Sequence, residues 1–131
     1  MTGPRSLQAL RVLIVEDEML VAMELEEALK SCGCLVIGPA SRIRHALQLA
    51  SEAEIDAAVL DVNVAGEKVF PVAEILARRG VPFVFATGYG ASGIDDVYRN
   101  SPILQKPYPE AALAAALADA LSHAAPDTAA P

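Results

Sequence analysis

The chain has 131 residues, 53% of them hydrophobic and 21% charged, with a formal charge of −7. Such a length fits one domain with a real core, and the apolar content excludes a disordered chain. The acidic balance offers nucleic acid no basic surface, the apolar runs are too short for a membrane span, and residues 1–6 lack the apolar stretch of a signal peptide, so a cytoplasmic protein is expected.

Residues 10–15 read as a strand too apolar to be half-exposed, as expected when both its faces are covered. Residues 18–31 read as a helix with Val21, Leu25, Ala28, Leu29 and Cys32 on one stripe, followed by Gly33 as a natural terminator. Cys32 and Cys34 read as reduced, packed thiols, since no further cysteine completes a metal site. Residues 34–37 predict a second strand stopped by Gly38 and Pro39, and Ser41 is expected to cap a helix carrying Ile43, Ala46, Leu47 and Ala50. Residues 57–60 predict the third strand. A helix from about residue 66 or 67 to residue 79 carries Val69, Val72, Ala73 and Leu76 and ends at Gly80. Residues 81–86 predict the fourth strand. Residues 94–99 can hold only a short helix, because Gly88, Gly90 and Gly93 weaken its approach. Residues 103–105 predict the fifth strand, and Pro109 opens a last helix striped by Leu113, Leu117 and Leu121. The expected organisation is a flexible segment over residues 1–9, one domain over 10–123 and a disordered tail over 124–131. Strands alternating with helices predict a parallel sheet with right-handed crossovers and helices on both faces.

Polar groups recur at one kind of place, the carboxyl end of a predicted strand. Glu16 and Asp17 end the first, Asp61 the third, Thr87 the fourth and Lys106 the fifth. Singly, each has a bland reading: a helix cap, a favourable charge at a helix N-terminus, a turn, a surface lysine. Together they occupy the crevice where parallel α/β sheets do their chemistry. Magnesium prefers oxygen ligands and commonly takes one or two carboxylates with phosphate and water. Without a cation the acids repel: two unit charges at about 4 Å cost about 1 kcal/mol in water and about 4 kcal/mol at an effective dielectric near 20. An attacking Asp61 would give an acyl phosphate, with Lys106 and the Thr87 hydroxyl placed to hold phosphoryl oxygens.

The stretches Val12-Leu13-Ile14-Val15-Glu16-Asp17-Glu18, Ala58-Val59-Leu60-Asp61-Val62-Asn63, Phe85-Ala86-Thr87-Gly88 and Lys106-Pro107 resemble a receiver domain of bacterial two-component response regulators, over about residues 10–122. The resemblance implies a flavodoxin-like (βα)5 doubly wound parallel sheet of order 2-1-3-4-5. It implies that Asp61 takes a phosphoryl group from a phosphohistidine on a sensor histidine kinase or phosphotransfer protein. By the same carry-over Glu16, Asp17, Asp61 and the Asn63 backbone carbonyl hold magnesium, Thr87, Gly88, Lys106 and Pro107 form the phosphoryl-binding region, and the peptide before Pro107 is cis. The first acid is Glu16 where most of the family has Asp, so its longer side chain is expected to reach magnesium through water. Residues 85–89, Phe-Ala-Thr-Gly-Tyr, resemble a subgroup of receivers that are often single-domain. Ile103 stands where the family usually has an aromatic residue, so Tyr89 and Gly90 are expected to serve a switch in the loop after the fourth strand. Met19, Leu20 and Met23 lie off the first helix's core stripe; the resemblance implies that this helix and nearby loops dock the phosphodonor, a surface that exposed Met and Leu suit.

The expected function is therefore a phosphorylation-controlled receiver, not an enzyme, that switches a partner-binding surface or shuttles phosphate, as a monomer or weak dimer. Two alternatives stay open. One is the receiver portion of a larger regulator with an output domain. The other is a magnesium-dependent phosphatase with an aspartyl nucleophile, disfavoured because Asn63 stands where such enzymes keep a general acid.

Overall fold

The computed structural model describes residues 7–88, 93–98 and 100–129. The elements run β1 (Arg11–Val15), α1 (Met19–Ser31), β2 (Leu35–Ala40), α2 (Ile43–Glu52), β3 (Ala57–Asp61), β4 (Asn63–Val64), β5 (Glu67–Lys68), α3 (Phe70–Arg78), β6 (Phe83–Thr87), β7 (Ile103–Gln105) and α4 (Glu110–Ala129). Five strands form one parallel sheet of order β2-β1-β3-β6-β7, while β4 and β5 make a separate antiparallel pair. With that small pair set aside, the order is the predicted 2-1-3-4-5.

The strands are apolar throughout because both faces are covered, and the pleat sends alternate residues to opposite sides. Val12, Ile14, Ala57, Val59, Val84 and Ala86 join Leu25 and Leu29 of α1 and Leu113 and Leu117 of α4 in one core. Leu13, Val15, Ala58, Leu60, Phe83 and Phe85 join Ile43 of α2 and Val72 and Leu76 of α3 in the other. On that second face Tyr98 stacks on Phe70, with ring centroids 5.6 Å apart, and meets Phe85 edge-on at 5.6 Å. The ring belongs to a 3-10 turn, Asp96–Tyr98, within the stretch predicted as a short helix over 94–99, of which residue 99 lies outside the described residues.

Four further local expectations need adjustment. The second strand does not stop at Gly38: it continues to Ala40 with a register shift opposite the Leu13–Val15 stretch. As an edge strand, β2 tolerates the N–H that Pro39 lacks, and the irregularity absorbs the kink. Ser41 is not the cap of α2, whose N-cap position is Arg42 without a side-chain cap bond. The third helix starts at Phe70 rather than near residue 66, because Ala65 and Gly66 both take positive φ, 50° and 85°, and turn the chain back into the β4–β5 hairpin first. Pro71 then sets the first helical turn. Finally, α4 continues as helix to Ala129 where the sequence predicts a tail from residue 124, alanine being the strongest helix former. Gly33, at φ 87°, ends α1 as predicted, donating its N–H to the Lys30 carbonyl at 2.9 Å. At the chain's start, the Ala9 N–H reaches the Gly33 carbonyl at 2.7 Å and Leu7 packs on the core, so residues 7–9 are anchored; the rest of the predicted 1–9 segment lies outside the described residues.

Leu117 has no exposed surface and roots α4 on the sheet. Leu117→Ala is expected to cost about 2–5 kcal/mol, read as a lower urea midpoint at unchanged denaturant slope.

Candidate functional site

The sheet order reverses between β1 and β3, since the chain passes from β1 outward to β2 and later returns to β1's other side. Crevices at the carboxyl ends of strands open at such a switch point. Val15 pairs with Leu60, so one step further Glu16 lies beside Asp61. Asp61 pairs with Ala86 and Thr87 with Gln105, which puts the Thr87 hydroxyl and Lys106 at the same edge. The Lys106 N–H donates to the Thr87 carbonyl at 2.8 Å, extending the β6–β7 ladder one step into the site.

One oxygen each from Glu16, Asp17 and Asp61 lies within 4.8 Å of the others. Asp17, Asp61, Asn63, Thr87, Gly88 and Lys106 line one open cleft, with Glu18 at its rim. Glu16 is buried beneath it, with 3% of its surface exposed, and Thr87 is buried to the same degree. Lys106 Nζ lies 2.9 Å from Glu16 Oε1 and 3.6 Å from Asp61 Oδ2. Only the shorter contact is a hydrogen bond, so the ammonium is committed mainly to Glu16 and leaves Asp61 incompletely neutralised. Glu16 Oε2 accepts the Glu18 N–H at 3.1 Å, and Asp17 Oδ2 accepts the Ala65 N–H at 3.1 Å.

These contacts set the charges. Burial, and next the adjoining Glu16 carboxylate, push the Asp61 carboxyl up to about 7 against the pull of Lys106. Burial alone would lower the Lys106 ammonium, but its hydrogen bond to Glu16 and the charge of Asp61 raise it instead. Three clustered carboxylates, two of them beside one half-buried ammonium, make an anionic site rich in hard oxygen donors, and a small divalent cation such as magnesium fits that donor set.

Of the residues singled out in the sequence, Glu16, Asp17, Asp61, Asn63, Thr87, Gly88 and Lys106 come together here. Pro107, after a cis peptide, lines instead a neighbouring groove between α1 and α4, with Val21, Leu25 and Tyr108. Met19, Leu20 and Met23 stand exposed on α1, at 75%, 74% and 54%. Tyr89 and Gly90 lie outside the described residues. The backbone donors of Glu18 and Ala65 have no counterpart in the sequence reading, because every residue but proline carries an N–H and residue type does not reveal where it points. Tyr98 was open to discovery: an aromatic residue inside a polar stretch is a signal, but its partners come from α3 and β6.

The raised Asp61 carboxyl has a stability consequence. In metal-free protein the folded state keeps this proton from about pH 4, where an unfolded aspartate loses it, up to about pH 7. Folding is therefore opposed increasingly as pH rises through that window. With magnesium chelated, Asp61→Asn is expected to become progressively more stable than wild type between those limits, as read by thermal midpoints across a pH series; a constant difference would contradict the electrostatic picture.

Known proteins resemble this chain in sequence and in fold. Residues 12–118 match the family described as response regulator receiver domain. Among curated proteins, the phyllosphere-induced regulator PhyR of Methylorubrum extorquens is 32% identical over 118 residues, covering 86% of this chain and 44% of that protein. The transcriptional regulatory protein PdtaR of Mycobacterium tuberculosis is 30% identical over 92 residues, covering 70% of this chain and 45% of the relative. The chain thus spans less than half the length of these curated relatives. Among solved structures, SdrG from Sphingomonas melonis Fr1 is 46% identical with a TM-score of 0.78, covering 86% of this chain and 97% of that one. On the family match and the flavodoxin-like sheet together, this chain belongs to the response regulator receiver domains of two-component signalling.

Proposed function

We propose that Asp61 is the phosphoryl acceptor of a receiver spanning residues 10–123, and that its donor is a phosphohistidine on a sensor histidine kinase or phosphotransfer protein. The observation that carries this reading is the convergence of Glu16, Asp17 and Asp61 within 4.8 Å beside the Lys106 ammonium. An Asp61 carboxylate oxygen attacks phosphorus, the phosphorus–nitrogen bond to the donor imidazole breaks, and an acyl phosphate forms on Asp61; the proton already on the donor ring's other nitrogen lets histidine leave neutral. Glu16, Asp17, Asp61 and the Asn63 carbonyl would hold magnesium, which supplies neutralisation of charge at the transferring group. Lys106, held at 3.6 Å from Asp61 in this state, is placed to turn toward a phosphoryl oxygen, and the Thr87 hydroxyl and the Gly88 backbone border the same space. Transfer then rests on placement and charge rather than on a proton relay, which favours a phosphorylation-controlled module over a hydrolytic enzyme.

The finer reading concerns output. The Phe-Ala-Thr-Gly-Tyr segment at residues 85–89 supports membership in a receiver subgroup that is often single-domain, acting in the cytoplasm as a monomer or weak dimer. No helix among the described residues is long and apolar enough to cross a membrane. The exposed Met19, Leu20 and Met23 on α1, the helix that follows Asp17 and Glu18 of the cleft, support a phosphodonor contact there. A downstream protein partner would read the loop after β6, where Thr87 and Gly88 lead into Tyr89 and Gly90.

Incubation with acetyl phosphate and magnesium chloride tests the acceptor. Intact mass should show one added phosphoryl group on wild type and none on Asp61→Ala; labelling of both at equal extent overturns the assignment. For the switch, amide exchange over residues 88–98 is expected to slow when beryllofluoride occupies the phosphoryl position. Equal exchange with and without it counts against that loop as the output element.

A further inference from the structure

The β4–β5 hairpin is too short to stabilise itself, yet it is firmly seated. Asn63 pairs with Lys68 and Val64 with Glu67, and the chain reverses through Ala65 and Gly66, both at positive φ. This is the pattern of a type I′ turn, in which the first and last residues satisfy one another while the N–H of the second residue points away from the hairpin. Its base is rooted by Val62, Val64 and Val69, all at 1% exposure or less, and by the Val69 N–H donating to the Val62 carbonyl at 2.9 Å. The projecting N–H belongs to Ala65, and it meets Asp17 Oδ2 at 3.1 Å, 48 residues away in sequence. Ala65 is also one of only two non-glycine residues at positive φ among the described residues, a conformation that costs alanine more than glycine.

We propose that Ala65 is a positioning residue: its backbone N–H orients the exposed Asp17 carboxylate toward Asp61, so that the hairpin tip tunes cation affinity. This rests on the reading of Glu16, Asp17 and Asp61 as a magnesium site. The coupling runs both ways, since a cation that fixes Asp17 must by linkage also hold the hairpin tip. Asp17 sits on the β1–α1 connection, and its side chain is otherwise at the solvent-facing edge of the cleft. A donor aimed from the far side removes rotamers that would carry the carboxylate away from its partners.

The test uses the full chain, isotope-labelled and titrated with magnesium chloride while amide shifts are followed. Ala65→Pro removes the N–H, and because its ring fixes φ at about −65° it also undoes the positive-φ turn that aims the tip; magnesium binding is expected to weaken about tenfold. Ala65→Gly keeps the N–H at a positive φ and should restore affinity to within about twofold, which a merely structural role for the side chain does not predict. In a separate measurement without metal, Asp17→Ala is expected to speed exchange of the Ala65 amide by about tenfold or more, the effect of losing a charge-assisted acceptor. This second readout stands even where Ala65→Pro does not fold. Equal affinity in folded Ala65→Pro and wild type, or unchanged Ala65 exchange in Asp17→Ala, overturns the positioning role while leaving the cation site intact. A wild type that shows no magnesium-dependent shifts at the cleft overturns the cation site itself and this inference with it.

Discussion

Three carboxylates held within 4.8 Å of one another, against one ammonium, are the constraint around which this molecule is organised. Like charges at that spacing cost roughly 1 kcal/mol per pair in water and several times that where solvent is partly excluded. Lys106 does not neutralise them evenly: it hydrogen-bonds Glu16 at 2.9 Å and stands 3.6 Å from Asp61. The result is a division of labour between the acids. Glu16 is buried and satisfied by an ammonium and a backbone N–H, whereas Asp61 carries the remaining frustration in the form of a raised carboxyl. A site with that imbalance gains from a bound cation.

The scaffold bears such a cost because the strands beneath are satisfied on both faces. The pleat divides β1, β3 and β6 evenly between the α1–α4 core and the α2–α3 core, so neither face of the central strands meets water. Small residues Ala57, Ala58 and Ala86 sit among the larger ones in the middle of the sheet, while Phe83, Phe85, Phe70 and Tyr98 concentrate aromatic contact on the α3 side. Such edge and stacked ring pairs contribute on the order of 0.5–1.5 kcal/mol beyond their burial, so Tyr98 is a strong tether for the 3-10 turn that carries it. Phe85 lies two residues before Thr87 on the same strand, which places the aromatic cluster and the cleft at successive positions of β6.

Backbone donors complete the site. The Glu18, Ala65 and Lys106 N–H groups each bond a group of the crevice or its ladder: Glu16, Asp17 and the Thr87 carbonyl respectively. They hold polar groups in place without adding net charge to an electrostatic balance that is already strained, which a further lysine or arginine would alter.

Much of this was legible in the chain itself. Apolar runs ending in an acid, a hydroxyl or a lysine determine that Asp61, Thr87 and Lys106 share an edge, because a doubly covered parallel strand needs continuous apolar residues and exposes the first polar residue beyond them. Helical stripes such as Val72, Ala73 and Leu76 or Leu113, Leu117 and Leu121 likewise mark buried faces, since the 3.6-residue period is local. What tertiary structure alone decided depends on contacts between distant segments. Pro39 could continue a strand because β2 is an edge; Lys106 came to favour Glu16 over Asp61; and the turn at Ala65 and Gly66 displaced the expected start of α3 and brought an N–H to Asp17. Residue type determines which groups can carry charge or pack in a core. The pairing register and the direction of each backbone N–H emerge only when the strands are side by side, because they are set by neighbours that lie tens of residues away along the chain.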